Sequence, residues 1–113
     1  MTIIEMNHII DEQVDKCKNL LVHKGEEYAF DETDRLQAFK TAAAIQDTTP
    51  MKALAGMMAK HTISIYDMIE HESSDSLKWE EKITDHINYL LLLKCLIMDE
   101  LRASERNSDK EVS

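Results

Sequence analysis

We expect an all-α fold, and three observations lead to it. The chain of 113 residues contains only two glycines and one proline, too few for the tight turns of a β-rich domain. Alanine, leucine, methionine, glutamate and lysine, which favour helices, are abundant. Apolar residues recur at intervals of three, four and seven positions, as in amphipathic helices. Because the length suits one domain, we predict a single four-helix domain with a long C-terminal helix.

The first helix is predicted over residues 3–24, and Gly25 directly after it is a typical helix stop. We expect one face of this helix to pack on the core through Ile3, Ile10, Val14, Cys17 and Leu21. The connector Gly25–Thr33 then carries Tyr28 and Phe30, two aromatics in a chain with only 5% aromatic residues. Either this loop is pinned to the core, or it forms a stacking wall for a flat ligand.

A second, shorter helix is predicted from Asp34 to Gln46, with Leu36, Phe39 and Ala43 facing inward. The third helix begins at Thr49-Pro50, since threonine can cap free amides and proline suits the first helical position. It runs to Glu70. Its heptad-like stripe, in which the histidine is the only polar member, consists of Met51, Leu54, Met58, His61, Ile65 and Met68.

The fourth helix is predicted from a cap at Ser76 to an end near Glu105. Its section Ile87–Met98 is apolar on nearly every side, which indicates a central position or an oligomer contact. We therefore expect a homo-oligomer. The predicted helical domain spans residues 1–105, and the polar residues 106–113 are predicted to form a disordered tail.

The composition also bounds the location and partners of the protein. The sequence shows neither a signal peptide nor an apolar run of membrane-spanning length, so we expect a cytoplasmic protein without a membrane partner. Cys17 and Cys95 are isolated thiols in helical patterns, and we expect both to be reduced core residues. A net charge of −9 argues against duplex DNA or RNA as the main partner, because phosphate neutralisation needs many clustered cations.

The charge changes sign in the middle of the chain. The segment Arg35–Tyr66 carries four basic residues against one acidic residue, Asp47, which leaves −12 on the remainder of the chain. An acidic protein with a basic centre suits a small anionic ligand held at one site better than a long polyanion. The alternative is an uneven charge distribution without a function. The basic residues of the segment are Arg35, Lys40, Lys52 and Lys60.

Two candidate anion contacts lie on the third helix. With Thr49 as its cap, amides of the first turn near Lys52 point out of a positive helix end, which is a general anion site. Lys60 and Ser64 share one helix face, and His61 lies beside them. These side chains could hold a phosphate by charge-assisted hydrogen bonds. For His61, the alternative is a satisfied core histidine.

On the fourth helix, Glu81, Asp85 and Asn88 recur at intervals of four and three residues. The same line continues as Leu92 and Cys95, so the polar trio should face the interior or a cleft. Buried carboxylates need a partner. That partner is either a magnesium ion, bound by carboxylate and amide oxygens, or a salt bridge to Lys60, Lys40 or Arg35.

Several residue groups together resemble a known family. They are KGEEY around Tyr28, DRLQAF around Phe39, the Lys60-His61 pair, and EEKITDHINYLLLLK over Glu80–Lys94. Over Val22–Ile97 the chain resembles the nucleotide modification associated domain 1 family of phages and prophages, most specifically at Glu81, Asp85, Asn88 and Tyr89. The resemblance implies a small helical phage protein linked to nucleotides and located in the host cytoplasm.

A looser likeness runs to the all-α nucleoside triphosphate pyrophosphatases of MazG type. These enzymes bind magnesium through ExxE and ExxD helical motifs, whereas Glu81 and Asp85 are four residues apart here. The likeness implies magnesium as a cofactor only if this chain is an enzyme, in which case Asp67, Glu81 and Asp85 would hold the metal. No catalytic residue is assigned.

Three functions remain open from the sequence. The first is a phage-type protein that sequesters a phosphate-bearing nucleotide, such as a host defence signal. The second is a magnesium-dependent nucleotide pyrophosphohydrolase, and the third is a helical module that binds a host protein through its acidic surface. For the first, the predicted ligand-binding residues are Tyr28, Phe30, Arg35, Lys40, Lys52, Lys60, His61, Ser64, Asn88 and Tyr89.

Overall fold

A computed structural model of the chain describes residues 1–23 and 34–112. The first helix, α1, spans Ile3–Lys18 and continues into a single π-helical turn, Asn19–His23. Helix α2 spans Gln37–Ile45, α3 spans Pro50–Glu70 and α4 spans Ser76–Val112. The prediction of an all-α fold with a long C-terminal helix is confirmed. The predicted helix stop at Gly25 lies outside the described residues.

Helix α1 begins with a capping box. Thr2 Oγ1 accepts a hydrogen bond from the Glu5 amide at 3.2 Å, and Glu5 Oε2 accepts one from the Thr2 amide at 3.3 Å. These bonds satisfy amides that have no partner within the helix. The α-helical geometry ends at Lys18, earlier than predicted, because the π-helical turn follows directly.

Most of the predicted inward stripe of α1 does not face the core. Cys17 is buried, whereas Ile3, Ile10 and Val14 are 76%, 51% and 58% exposed. The prediction is therefore wrong for these three residues. The physical reason is that α1 meets α4 through its second half, where Gln13 Nε2 donates to Thr84 Oγ1 at 2.8 Å. An ion pair between Lys16 and Glu80 lies beside that hydrogen bond.

The starts of the later helices follow from side-chain caps. Thr49 Oγ1 accepts from the Lys52 amide at 3.2 Å, and Pro50 occupies the first turn, as predicted. Helix α4 is capped by Asp75 instead of Ser76, since Asp75 Oδ1 accepts from the Lys78 amide at 3.1 Å. Asp34 does not begin α2, because its carboxylate accepts from the Leu36 amide within the preceding turn.

Helices α2 and α3 end in the same way. The residue after each C-cap has positive φ, 53° at Asp47 and 50° at Glu72. The next amide then donates back to the helix, from Thr48 to the Ala43 carbonyl and from Ser73 to the Met68 carbonyl, both at 2.9 Å. This is the Schellman arrangement, in which glycine is the usual residue at the positive-φ position. The tight end of α3 lets the chain reverse, so α4 returns along α3.

The core lies among α2, α3 and α4. Phe39, Leu54 and Leu96 form its buried cluster, and Met57 and Leu92 pack against it. Cys95, which we expected in the core, is exposed, whereas Cys17 is buried. The cause is helical geometry, since Cys95 precedes the buried Leu96 and points to a different side of α4.

Helix α4 is the longest element of the fold. Its 37 residues correspond to roughly 55 Å of helix, close to the longest dimension of the chain, 57 Å. The predicted end near Glu105 is too early, because residues 106–112 contain neither glycine nor proline and continue the helix. Among the helices of the described ranges, none combines the length and apolarity needed to cross a bilayer.

Candidate functional site

A cleft of about 350 Å³ lies beside the core, and we call it the Asn88 cleft. The π-helical turn contributes Leu20 and Leu21 to its wall, and α2 contributes Ala38 and Phe39. Helix α3 contributes Met57. The remaining wall comes from α4, through Asp85, Asn88, Tyr89 and Leu92. Two members of the predicted polar trio, Asp85 and Asn88, thus reach a cleft, as the spacing indicated.

Asn88 is the most unusual residue of this cleft. It is only 5% exposed, and neither its Oδ1 nor its Nδ2 has a hydrogen-bond partner among the described residues. A buried polar group without a partner costs about 1–3 kcal/mol, so proteins seldom keep one without a reason. A carboxamide offers one acceptor and two donors side by side. The wall of the Asn88 cleft therefore contains hydrogen-bonding atoms that no described residue uses.

His61 and Tyr89 join α3 to α4 next to this carboxamide. Their ring centroids are 4.9 Å apart and the rings are inclined by 49°. His61 is half-buried, and its Nδ1 atom has no hydrogen-bond partner within the described ranges. The histidine thus packs on an aromatic wall of the cleft, as its place on the apolar stripe of α3 indicated.

Two of the four predicted cations already have partners in the fold. Lys40 Nζ lies 2.6 Å from Asp34 Oδ2 and 3.2 Å from Asp99 Oδ2. The Lys40 ammonium lowers the pKa of the Asp34 carboxyl, helped by the Leu36 amide, and Asp34 and Asp99 raise the pKa of Lys40. Arg35 Nη2 donates to the Leu21 carbonyl at 3.0 Å. Both side chains therefore hold elements together.

The other two cations are exposed on α3. Among the described residues, neither Lys52 nor Lys60 forms an ion pair. The Lys52 amide donates to Thr49 Oγ1, so the helix cap itself uses the group that we expected to face an anion. Ser64 is half-buried on the same helix. Lys60 directly precedes His61, whose ring contacts Tyr89 in the cleft wall.

The predicted metal ligands are not brought together. Asp67 and Glu81 are exposed, whereas Asp85 is half-buried at the cleft. Over residues 1–23 and 34–112, no three histidine, cysteine, aspartate or glutamate side chains lie close enough to hold a metal ion. The proposed salt bridge from Glu81 or Asp85 to the basic segment is also not among the ion pairs of these ranges. The described side chains therefore do not fit a magnesium cage.

The predicted aromatic contacts Tyr28 and Phe30 lie outside the described residues. Sequence reasoning did not assign Leu20, Phe39 or Met57 to the site, although all three line the cleft. Each belongs to an ordinary apolar pattern, and such a pattern does not distinguish the wall of a cleft from the interior of a core.

Comparisons with known proteins found no match, so a function can be inferred only from the geometry of this chain. No protein-family model, no curated protein and no solved structure matches this chain. The resemblance to the nucleotide modification associated domain 1 family stays a prediction.

Proposed function

We propose that this protein binds and sequesters a small phosphate-bearing nucleotide whose base enters the Asn88 cleft. The observation that carries the proposal is the buried Asn88 carboxamide, which has no hydrogen-bond partner among the described residues. A ligand that satisfies this group would recover the cost of its burial on binding. Such a ligand would account for a carboxamide at a buried position where an apolar side chain would leave no polar atom unsatisfied.

The chemistry of the walls favours a nucleobase. The edge of a base presents hydrogen-bond donors and acceptors in one plane, which matches a carboxamide. Its faces are flat and apolar, and Phe39, Met57 and Tyr89 offer aromatic and thioether surface to them. A volume of about 350 Å³ lies at the lower end of the range of about 300–1,000 Å³ for ligand sites, enough for a base and its ribose.

The phosphates would lie outside the cleft, near α3. Asp85 lines the cleft, and its carboxylate would repel a phosphate placed inside. Lys60 and Lys52 are exposed on α3, and Lys60 is adjacent in sequence to His61, which contacts Tyr89. These exposed lysines are the cations left for charge-assisted bonds to phosphate once Arg35 and Lys40 are committed to the fold.

Sequestration fits these residues better than hydrolysis. The contacts proposed above are binding contacts, namely a carboxamide, aromatic rings and lysines. A magnesium-dependent hydrolase would require Asp67, Glu81 and Asp85 at one point, and the described structure spreads them between solvent and cleft. We therefore expect the ligand to be released intact when the protein is unfolded.

The test is a panel of linear and cyclic nucleotides, incubated with the purified protein with and without magnesium. Calorimetry gives the affinity, and chromatography of the bound and free pools shows whether the nucleotide is intact. We expect one class of nucleotide to bind and to be recovered unchanged after denaturation. Release of monophosphate or pyrophosphate would contradict sequestration, and no binding by any nucleotide would contradict the proposal as a whole.

Asn88→Leu tests the carboxamide directly. Loss of its hydrogen bonds to the base should weaken binding at least tenfold, since each such bond contributes about 0.5–1.5 kcal/mol or more in a dry site. The matched control is Asn7→Leu, because Asn7 is exposed on α1 and does not line the cleft. If both variants bind like the wild type, the base does not occupy the Asn88 cleft.

Lys60→Ala tests the phosphate end. We expect a several-fold loss of affinity and a weaker dependence of affinity on salt, because one charge-assisted contact is lost. Lys78→Ala, at an exposed position near the start of α4, is the control and should change neither quantity. An unchanged salt dependence in Lys60→Ala would remove this lysine from the site.

A further inference from the structure

The face of α4 turned away from the core carries a second apolar stripe, which we call the outer seam. Its members follow one another at intervals of four, three, four, three and four residues, the heptad spacing of a helix that pairs with another helix. Ile83, Leu90, Ile97 and Leu101 are 40%, 51%, 38% and 52% exposed. The outer seam consists of Ile83, Ile87, Leu90, Lys94, Ile97 and Leu101.

The chain as a whole exposes more surface than a folded monomer of its size. Its accessible surface is 8930 Å² at a mass of 13.0 kDa, against about 6,300 Å² for a compact monomer of that mass. Its radius of gyration is 17.5 Å, against about 13 Å for a compact domain of this length. The accessible surface in excess of that of a compact monomer is larger than the roughly 800 Å² that each partner buries in a typical stable interface.

We propose that the outer seam is the interface with a second copy of this chain, in which the two α4 helices pair antiparallel about a two-fold axis. The spacing of the seam reads the same in both directions, so an antiparallel copy meets it in register. Ile83 then lies opposite Leu101 of the partner subunit, and Ile87 lies opposite Ile97 of the partner subunit. Leu90 lies opposite Lys94 of the partner subunit. Such a self-complementary patch is what a two-fold interface requires.

Lys94 selects the antiparallel direction. In a parallel pair the two Lys94 ammonium groups would face each other in one layer of the seam and repel. In the antiparallel pair each Lys94 faces a leucine. Its methylene stem can cover that leucine while the ammonium reaches solvent. The same lysine therefore disfavours one arrangement and is tolerated in the other.

A polar pair flanks the seam in the same register. His86 lies at the edge of the seam and is half-buried. Glu100 is exposed on the same helix. The antiparallel register brings each His86 opposite Glu100 of the partner subunit, so an imidazole meets a carboxylate at both ends of the interface.

Apolar side chains beside the outer seam extend it on one side. Leu91 and Met98, 43% and 37% exposed, widen the seam on one side. Ile87 and Leu91 continue into an apolar groove of about 340 Å³ that Val14 and Leu21 also line.

The first experiment measures the mass of the full chain in solution by light scattering during size-exclusion chromatography. We expect a dimer for the wild type and a monomer for Leu90→Glu, with unchanged helical circular dichroism. Ile63→Glu is the matched control, because Ile63 is 61% exposed on α3 and outside the seam, and it should remain dimeric. A monomeric wild type, or a dimeric Leu90→Glu, would overturn the proposal.

If Leu90→Glu does not fold, Lys94→Leu provides a second test of the proposed interface. Replacing the lysine by leucine should lower the dimer dissociation constant at least several-fold, because a charge leaves the seam. An unchanged or raised dissociation constant would mean that Lys94 does not lie in the interface.

Disulfide trapping separates the two directions in a Cys95→Ser background. Leu91 lies near the two-fold axis of the antiparallel pair, so Leu91→Cys should give a disulfide-linked dimer under mild oxidation. Ile83→Cys should not, because its counterpart lies at the far end of the seam. A cross-link formed by Ile83→Cys and not by Leu91→Cys would show a parallel pair and refute the register.

Discussion

The two faces of α4 differ from those of an ordinary surface helix. On the inner face, two of the most buried residues are polar, Thr84 and Asn88 at 7% and 5% exposure. On the outer face, apolar residues such as Leu90 are about half exposed at 51%. Ordinarily the apolar stripe faces the core and polar residues face water. The difference teaches that neither face follows from folding alone, and we propose ligand recognition for the inner face and self-association for the outer face.

The largest effect expected from this comparison is at Leu96. It is 1% exposed in the core, and Leu96→Ala should lower the free energy of unfolding by about 2–5 kcal/mol through lost burial and a cavity. Leu90→Ala on the outer face should instead weaken the dimer, so the variant should lose the dependence of stability on protein concentration that a dimer shows. Urea unfolding at two protein concentrations measures both effects. If Leu96→Ala loses the concentration dependence and Leu90→Ala keeps it, the two faces have been assigned the wrong way round.

A second, smaller effect concerns the stability of the free protein at Asn88. Leucine has as many side-chain heavy atoms as asparagine and no polar atoms to leave unsatisfied, and the adjoining cleft has room for its larger methyl groups, so Asn88→Leu should stabilise the ligand-free protein by about 1–2 kcal/mol. The same substitution should weaken nucleotide binding at least tenfold, so stability and function would move in opposite directions. Thermal unfolding without ligand gives the answer. A destabilised variant would mean that the carboxamide has structural partners in the free protein.

The smallest effect is at the ion pair between Asp34 and Lys40. Because the folded pKa of Asp34 lies below its usual 3.8, this carboxylate stabilises the fold above about pH 4 and loses that contribution as the pH falls through the folded value. The pKa of Lys40 is raised above 10.5, so its contribution is present below that pH and is lost as the pH rises through the folded value.

Asp34→Asn isolates this ion pair, because asparagine can still accept from the Leu36 amide. Near pH 7 the variant should melt slightly below the wild type, and the difference should shrink as the pH falls below 3.8 and through the folded pKa of Asp34, where the wild-type carboxylate becomes protonated. The side chains of Lys40 and Asp34 are 37% and 41% exposed, which keeps the effect small. A difference that grows at low pH would contradict the direction of the Asp34 shift.

The fold was largely predictable because its signals are local. Thr49-Pro50 marks the start of α3 by cap chemistry, and the structure confirms this start. Ser76 was a plausible cap, but the neighbouring Asp75 accepts the amide instead, since either residue can serve. The π-helical turn at Asn19–His23 left no trace in the spacing of apolar residues, so its effect on the end of α1 could not be predicted.

The site was predictable only in part, because contacts between helices determine which side chains come together there. The spacing of Asp85 and Asn88 indicated a shared inward direction, and both line the cleft. The partners of Lys40, however, are Asp34 and Asp99, and nothing in the charge pattern singled out Asp99. Ile3 and Ile10 show a second limit of prediction from sequence. Their spacing indicates an apolar helix face, but it does not indicate whether another part of the same chain covers that face.

One rigid helix serves both the cleft and the outer seam, with Ile87 and Asn88 as consecutive residues about 100° apart around its axis. Rotation of α4 by a bound base would therefore displace the seam as well. Nucleotide binding and dimerisation are then thermodynamically linked. The factor by which dimerisation changes the affinity for nucleotide equals the factor by which nucleotide changes the affinity between the two subunits.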